Sequence, residues 1–353
     1  MRIMLVIGAL SFGGAERVMA NLANFLAERH DVLLCTMFER DTPYQISKRV
    51  EIKQGLAEHG KLASFGRIRK TAKEYGADII LSFLSQINIT TIVALIGTKI
   101  PVVVSERNDP HFEPAQKYRK LLRNIVFPLA SGYVFQTVEA KQYFSSQIQK
   151  KGTVIPNPVF VKEGIAPVEA CDSRREFVAV GRLTAQKNYP LLIKAFSEVV
   201  KLHPEFILRI YGDGELKEEL MDLIKQTKLE NNVILMGASK TIHEDIVQSY
   251  GFIMSSDHEG MPNALLEAMA IGLCCISTDC PCGGPREIVD DEENGLLVPV
   301  GKVRAMETAI IRVIEDADLA KKISQNARKV KAEYNLISIG KKWEKYLLQI
   351  VKE

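Results

Sequence analysis

The residues best suited to chemistry sit in glycine-punctuated loops that each follow an apolar run. In Gly181-Arg182-Leu183-Thr184-Ala185-Gln186-Lys187-Asn188, a guanidinium and an ammonium share one loop. A planar fork and a point charge can together hold two oxygens of a diphosphate, although taken alone the two are more readily solvated surface cations. A second stretch, Asp257-His258-Glu259-Gly260-Met261-Pro262-Asn263 followed by Ala264-Leu265-Leu266-Glu267, brings a loop carboxylate and a helix carboxylate close in sequence. Gly260 and Pro262 leave backbone amides open, and Asn263 is a good helix cap. The amides between the two carboxylates can face a negative group while Glu259 and Glu267 hold hydroxyls. Near the start, Ser11-Phe12-Gly13-Gly14-Ala15-Glu16-Arg17 opens a helix with adjacent glycines that let a ligand approach the backbone closely. Its spacing fits neither the dinucleotide GxGxxG pattern nor the GxxxxGKS/T phosphate loop, which argues against nicotinamide and ATP. Tyr211-Gly212-Asp213-Gly214-Glu215 has the composition of an ordinary turn.

Four of the six cysteines cluster as Cys274, Cys275, Cys280 and Cys282 without the spacing of a zinc site. The first two are adjacent on a strand and point to opposite faces, and the others flank one proline, so buried reduced thiols are expected. His243 and His258 lack partners at metal-ligand spacing, and no metal site is expected. Basic residues gather twice. Lys61 to Lys73 can form a helix with Leu62, Phe65 and Ile68 on one side and Arg67, Arg69, Lys70 and Lys73 elsewhere; Lys117, Arg119, Lys120 and Arg123 surround Leu121 and Leu122. Such segments suit anionic lipid surfaces or phosphate-bearing partners, against the plainer alternative of a solvated face.

Positioning these loops requires an α/β chain. Apolar runs without polar alternation, as expected of strands buried on both faces of a parallel sheet, occur at 3–7, 32–35, 79–82, 102–105, 132–135, 154–155, 177–181, 207–211, 233–236, 251–255 and 274–277. Helical segments separate them. The stretch Pro156-Asn157-Pro158-Val159, with Gly164 and Pro167 beyond, breaks the pattern and reads as a hinge between residues 1–163 and 164–336. An amphipathic segment at 337–353 with the only tryptophan, Trp343, is expected to pack back on the first half. Two such domains facing across a cleft would present the carboxyl ends of both sheets to a ligand. With 353 residues and 46% hydrophobic content, the chain is long enough for two cores. Its net charge of +3 is too small to mark a nucleic-acid binder, but it divides unevenly: residues 1–163 hold 22 basic and 14 acidic side chains, residues 164–353 hold 24 and 29. The basic half suits an anionic membrane surface. The short apolar N-terminus reads as a first strand rather than a signal peptide, and no run reaches the length of a membrane span.

Six stretches, GGAE at 13–16, VIPNPV at 154–159, GRLTAQKN at 181–188, GDGEL at 212–216, EGMPNALLEAMA at 259–270 and NGLLVPVG at 294–301, together resemble glycosyltransferase family 4, retaining and metal-independent enzymes of the GT-B fold with two Rossmann-like domains. The resemblance implies that Arg182 and Lys187 bind the donor diphosphate in place of a divalent metal. It implies that Glu259 contacts the donor sugar, with Glu259, Arg182 and Lys187 forming the catalytic set. Glu267 would hold the ribose, the amides of Gly260, Met261, Pro262 and Asn263 would approach sugar and phosphate, Gly237 and Ala238 would border the base, and Gly14 would lie near the diphosphate. After the strand ending at Ser105, where many members carry a histidine, this chain has Glu106 and Arg107. Arg107 stays protonated and cannot be a general base, so either Glu106 positions the acceptor hydroxyl or the leaving phosphate takes its proton. The stretches SFGGAER, SERND and STDCPCGGPREI are similar to those of bacterial transferases that add N-acetylgalactosamine or a similar hexose derivative to undecaprenyl-diphosphate-linked oligosaccharides. That implies a UDP-sugar donor, a lipid-linked glycan acceptor, no cofactor, and a cytoplasmic protein on the inner face of the plasma membrane. Arg67, Lys70 and Lys73 would grip the acceptor pyrophosphate, with Arg17, Glu106 and Arg107 as further acceptor contacts. A sugar-nucleotide epimerase, a phosphorylase and a noncatalytic sugar-nucleotide-binding scaffold are the alternatives.

Overall fold

The computed structural model describes residues 1–11, 13–58, 60–162, 164–165 and 174–352. Phe12 of the first glycine motif, and Glu163 and Pro167 of the expected hinge, lie outside the described residues. The chain forms two compact units, Met1–Pro158 together with Leu336–Glu353, and Val159–Asn335.

The first unit holds β1 (Arg2–Ile7), β2 (Asp31–Thr36), β3 (Val50–Lys53), β4 (Ile79–Phe83), β5 (Val102–Ser105), β6 (Gly132–Phe135) and β7 (Gly152–Val154). All pair in parallel in the order β3-β2-β1-β4-β5-β6-β7. The second unit holds β8 (Glu176–Val180), β9 (Ile207–Tyr211), β10 (Val233–Gly237), β11 (Gly251–Met254), β12 (Cys274–Thr278) and β13 (Leu296–Val298), parallel in the order β10-β9-β8-β11-β12-β13. Interior strands such as β4 and β12 are buried at every residue, which is why they read as unbroken apolar runs. The short edge strands β3 and β13 are additions to the expected set. In Val50-Glu51-Ile52-Lys53 only Val50 is buried, so an edge strand with charged, solvent-facing residues leaves no apolar run to see.

Each sheet reverses strand order once, between β1 and β4 and between β8 and β11. Connections leaving the two central strands diverge to opposite faces there, opening a crevice at the strands' carboxyl ends. The Gly13-Gly14 turn follows β1, and the loops carrying Lys187 and Glu259 follow β8 and β11.

The terminal helix Leu336–Lys352 belongs to the first unit. Trp343 packs on Phe83 with ring centroids 5.5 Å apart, and the Tyr346 hydroxyl accepts from the Tyr133 amide at 2.8 Å and donates to the Lys151 carbonyl at 2.6 Å. Gly340 lies against Phe25 so closely that a Cβ would stand 2.6 Å from the ring, and Glu344 pairs with Arg29 and His30, each at 2.9 Å. Among the described residues no helix is long and apolar enough to cross a membrane.

Candidate active site

In the second unit, the loops after β8 and β11 are stitched side by side. Lys187 Nζ donates to Glu259 Oε1 at 2.6 Å, and the same oxygen accepts from Ser256 Oγ at 2.8 Å. Gln186 Nε2 donates to the His258 carbonyl at 2.8 Å, Asn188 Nδ2 to Asp257 Oδ1 at 2.7 Å, and Ser255 Oγ to the Lys187 carbonyl at 2.8 Å. Asn188 adopts a left-handed conformation and caps the helix Tyr189–Leu202 through the Leu191 amide, ending the loop sharply. The Lys187 and Glu259 side chains are only 16% and 12% exposed. Arg182 is exposed, and among the described residues its side chain makes no hydrogen bond or ion pair, so one cation of the loop is committed to Glu259 and the other is open to an anion.

Glycines let three loops converge on this point. A Cβ on Gly212 would lie 1.9 Å from the Gly181 carbonyl oxygen, one on Gly214 would lie 2.4 Å from that of Leu183, and one on Gly284 would lie 1.6 Å from that of Gly260. The 211–215 stretch, read from sequence as an ordinary turn, is therefore a buttress of the Arg182 loop, tied to it by Leu183 N donating to the Asp213 carbonyl at 2.9 Å. Gly284 plays the same part for the Glu259 loop. Gly260, Met261 and Pro262 are buried at the start of the helix Asn263–Ile271. Pro262 occupies the cap position and Asn263 is the first helical residue, a correction to the expected Asn263 cap.

Glu267, one turn into that helix, is buried and pairs with His243 Nε2 at 2.9 Å. The Lys162 backbone amide donates to His243 Nδ1 at 3.2 Å. An amide can only donate, so the ring carries its proton on Nε2 and presents it to Glu267 as a neutral imidazole. Sequence reading assigned His243 no role, because its partner lies on another element. Gly237 has a positive φ and Ala238 is exposed. Cys274, Cys275, Cys280 and Cys282 are separate buried thiols, and burial pushes the Cys274 thiol up to about 12.

In the first unit, Gly14 is exposed at the start of the helix Gly14–Leu26, and the Tyr44 hydroxyl accepts from the Gly13 amide at 2.9 Å. Arg17 is half-buried on the same helix. Glu106 and Arg107, expected at the acceptor, are buried instead. The Arg107 guanidinium sits over Phe83 at 4.6 Å and donates to Asn157 Oδ1, and burial lowers it to about 9. Burial likewise raises the Glu106 carboxyl to about 7, against the opposing pull of Arg123. Of the helix Lys61–Tyr75, Arg67 bonds to the Gly55 carbonyl at 3.3 Å and Arg69 to that of Ile96 at 2.9 Å. Lys70, paired loosely with Glu74 at 3.6 Å, and Lys73 remain exposed. Leu62 is exposed on this helix rather than packed beside Phe65 and Ile68. Arg123 is a further correction: it is fully buried, not part of a basic surface.

Comparison with known proteins bears on the whole chain. Residues 12–163 match the model of Glycosyltransferase Family 4, and residues 163–330 match that of Glycosyl transferases group 1. The chain belongs to glycosyltransferase family 4. It is 26% identical over 362 residues, 99% of each chain, to the GalNAc-alpha-(1->4)-GalNAc-alpha-(1->3)-diNAcBac-PP-undecaprenol alpha-1,4-N-acetyl-D-galactosaminyltransferase of Campylobacter jejuni. It is 28% identical to the amylovoran biosynthesis glycosyltransferase AmsD of Erwinia amylovora, covering 98% of this chain and 99% of that one. Anabaena HepE, solved in complex with UDP, shares the fold at a TM-score of 0.81 and 19% identity, covering 99% and 100% of the two chains. The family 4 chain is thus a GT-B protein along its length.

Two measurements follow from this geometry. Lys187→Ala strands the Glu259 carboxylate and is expected to cost about 2–3 kcal/mol in urea unfolding, most of it recovered in the Lys187→Ala, Glu259→Gln double variant; additive losses would contradict the pairing. A carboxyl raised to about 7 in the folded protein binds more protons there than in the unfolded chain, so its contribution to stability declines as pH rises from about 4.5 to 7. Glu106→Gln is therefore expected to flatten that decline in unfolding free energy, and an unchanged pH slope would contradict it.

Proposed function

We propose that this glycosyltransferase moves a hexose or N-acetylhexosamine, N-acetylgalactosamine first among them, from a UDP-sugar to a polyprenyl-diphosphate-linked glycan in surface polysaccharide, lipopolysaccharide or glycoprotein glycan assembly, with retention and without a metal. The observation that carries the reading is the Arg182 guanidinium left open beside the Lys187–Glu259 pair at the β8/β11 crevice. As the bond between the sugar's anomeric carbon and the diphosphate breaks, negative charge grows on the leaving oxygens. Arg182, Lys187 and the amides opening the helix Asn263–Ile271 are fixed donors for that charge. Glu259, held by Lys187 and Ser256, faces the sugar hydroxyls. Glu267, held by His243, takes the ribose hydroxyls, and Gly237 and Ala238 border the base, with Gly14 near the diphosphate.

Because Arg107 and Glu106 are buried in the first unit, the leaving phosphate is the group that takes the acceptor's proton. Lys70 and Lys73 remain the candidates for the acceptor pyrophosphate, with Arg67 and Arg17 beside them. The Campylobacter jejuni relative, a transferase acting on a PP-undecaprenol-linked glycan, supports the lipid-linked acceptor; a place at the inner face of the membrane is part of the same proposal.

Incubating the protein with UDP-sugars and bacterial membrane extract, then weighing the glycolipids by mass spectrometry, tests this. A mass increase of one hexose or N-acetylhexosamine is expected, with an α-anomeric signal by NMR, and Glu259→Gln lowers turnover at least about 100-fold. Epimerised nucleotide sugar, or binding without transfer, would overturn it.

A further inference from the structure

The helix Lys117–Val126 is turned the wrong way for a helix of a water-soluble surface. Its sequence, Lys-Tyr-Arg-Lys-Leu-Leu-Arg-Asn-Ile-Val, carries four cations and no carboxylate. Its buried residues are Val126 and Arg123, the latter wholly buried, with Nη1 donating to the Glu113 carbonyl at 2.7 Å and Nη2 to the Tyr143 hydroxyl at 2.9 Å. Its guanidinium also lies over Tyr143 at 5.0 Å and Phe144 at 5.1 Å. These bonds fix the helix's rotation, and the apolar face points out: Tyr118, Leu121, Ile125 and the following Leu129 are each between 61% and 64% exposed, with Leu122 among them at 42%. At 100° per residue Tyr118, Leu121, Leu122 and Ile125 form one stripe, flanked by Lys117 on one side and Arg119 on the other. An apolar stripe edged by cations, with no acid on the helix, complements a surface that is apolar within and anionic at its rim.

We propose that this stripe is the membrane-docking element of the protein, entering the headgroup boundary of an anionic bilayer while Lys117 and Arg119 meet lipid phosphates. The inference rests on the lipid-linked acceptor proposed above for its biological setting, and on the helix alone for its physics. By sequence both basic segments carry the same lipid or phosphate reading; the exposed stripe singles out the Lys117–Val126 helix for the lipid and leaves the Lys61–Tyr75 helix to the acceptor pyrophosphate. Both helices pack against Ser85–Leu95, so the two lie in one helical layer of the first unit.

Flotation of the full chain with vesicles of phosphatidylglycerol and phosphatidylethanolamine in equal parts tests it without donor or acceptor. Binding is expected, weak on pure phosphatidylcholine, and Leu121→Glu with Ile125→Glu lowers partitioning at least about tenfold. Lys117→Glu with Arg119→Glu loses the anionic preference and its salt sensitivity. Fluorescence of an Ile125→Trp variant is quenched by brominated lipid, while buried Trp343 is not. Undiminished binding of the Leu121→Glu, Ile125→Glu variant, or a lipid-free dimer in light scattering that this variant dissolves, would overturn the proposal. A protein that docks through the stripe yet transfers no sugar keeps this inference and loses the proposed function; transfer to detergent-dispersed acceptor without stripe-dependent docking does the reverse.

Discussion

One ion pair organises the second unit. Lys187 and Glu259 lie far apart in sequence, and they meet at 2.6 Å only because β8 and β11 are neighbours at the point where strand order reverses. A carboxylate this sheltered needs a charged partner, so the pair obliges the two loops to run together. The Gln186, Asn188 and Ser255 hydrogen bonds follow from that alignment. So do the glycines: Gly212, Gly214 and Gly284 sit where a single methyl group would strike a carbonyl oxygen of a functional loop. Among the described residues the Arg182 side chain is left without a partner beside this locked pair, a guanidinium open to an anion.

The first unit solves a different problem. Its sheet ends in a buried polar cluster in which Arg107 bonds Asn157, Gln136 bonds the same Asn157 oxygen at 2.8 Å, and Arg123 bonds loop carbonyls. Drawing Arg123 inward is what leaves leucine and isoleucine outside on the helix Lys117–Val126. The excess of positive charge in residues 1–163 is therefore partly interior: Arg107 and Arg123 are spent on structure, and the cations left on the surface are fewer than the count of 22 suggests.

Much of the architecture was legible because parallel strands buried on both faces write themselves as apolar runs, and because glycine-bearing loops mark the carboxyl ends of β1, β8 and β11. Three of the six stretches behind the glycosyltransferase resemblance lie in those same loops. Illegible features share a physical cause, dependence on a distant neighbour. Val50-Glu51-Ile52-Lys53 is a strand only because β2 offers it an edge. His243 orients Glu267 from another helix, and nothing local distinguishes it from a surface histidine. Glu106, Arg107 and Arg123 looked like acceptor or surface charges because burial of an ion depends on partners that spacing does not reveal, and Leu62 looked like core for the converse reason.

The central claim, that the open guanidinium of Arg182 and its locked neighbours hold a nucleoside diphosphate without help from a cation, is tested most directly by calorimetric titration of the protein with UDP in excess EDTA. The account predicts binding that EDTA leaves unchanged and that Arg182→Ala weakens at least about tenfold with the fold intact. Binding that appears only on adding a divalent metal, or that survives Arg182→Ala unaltered, would contradict it.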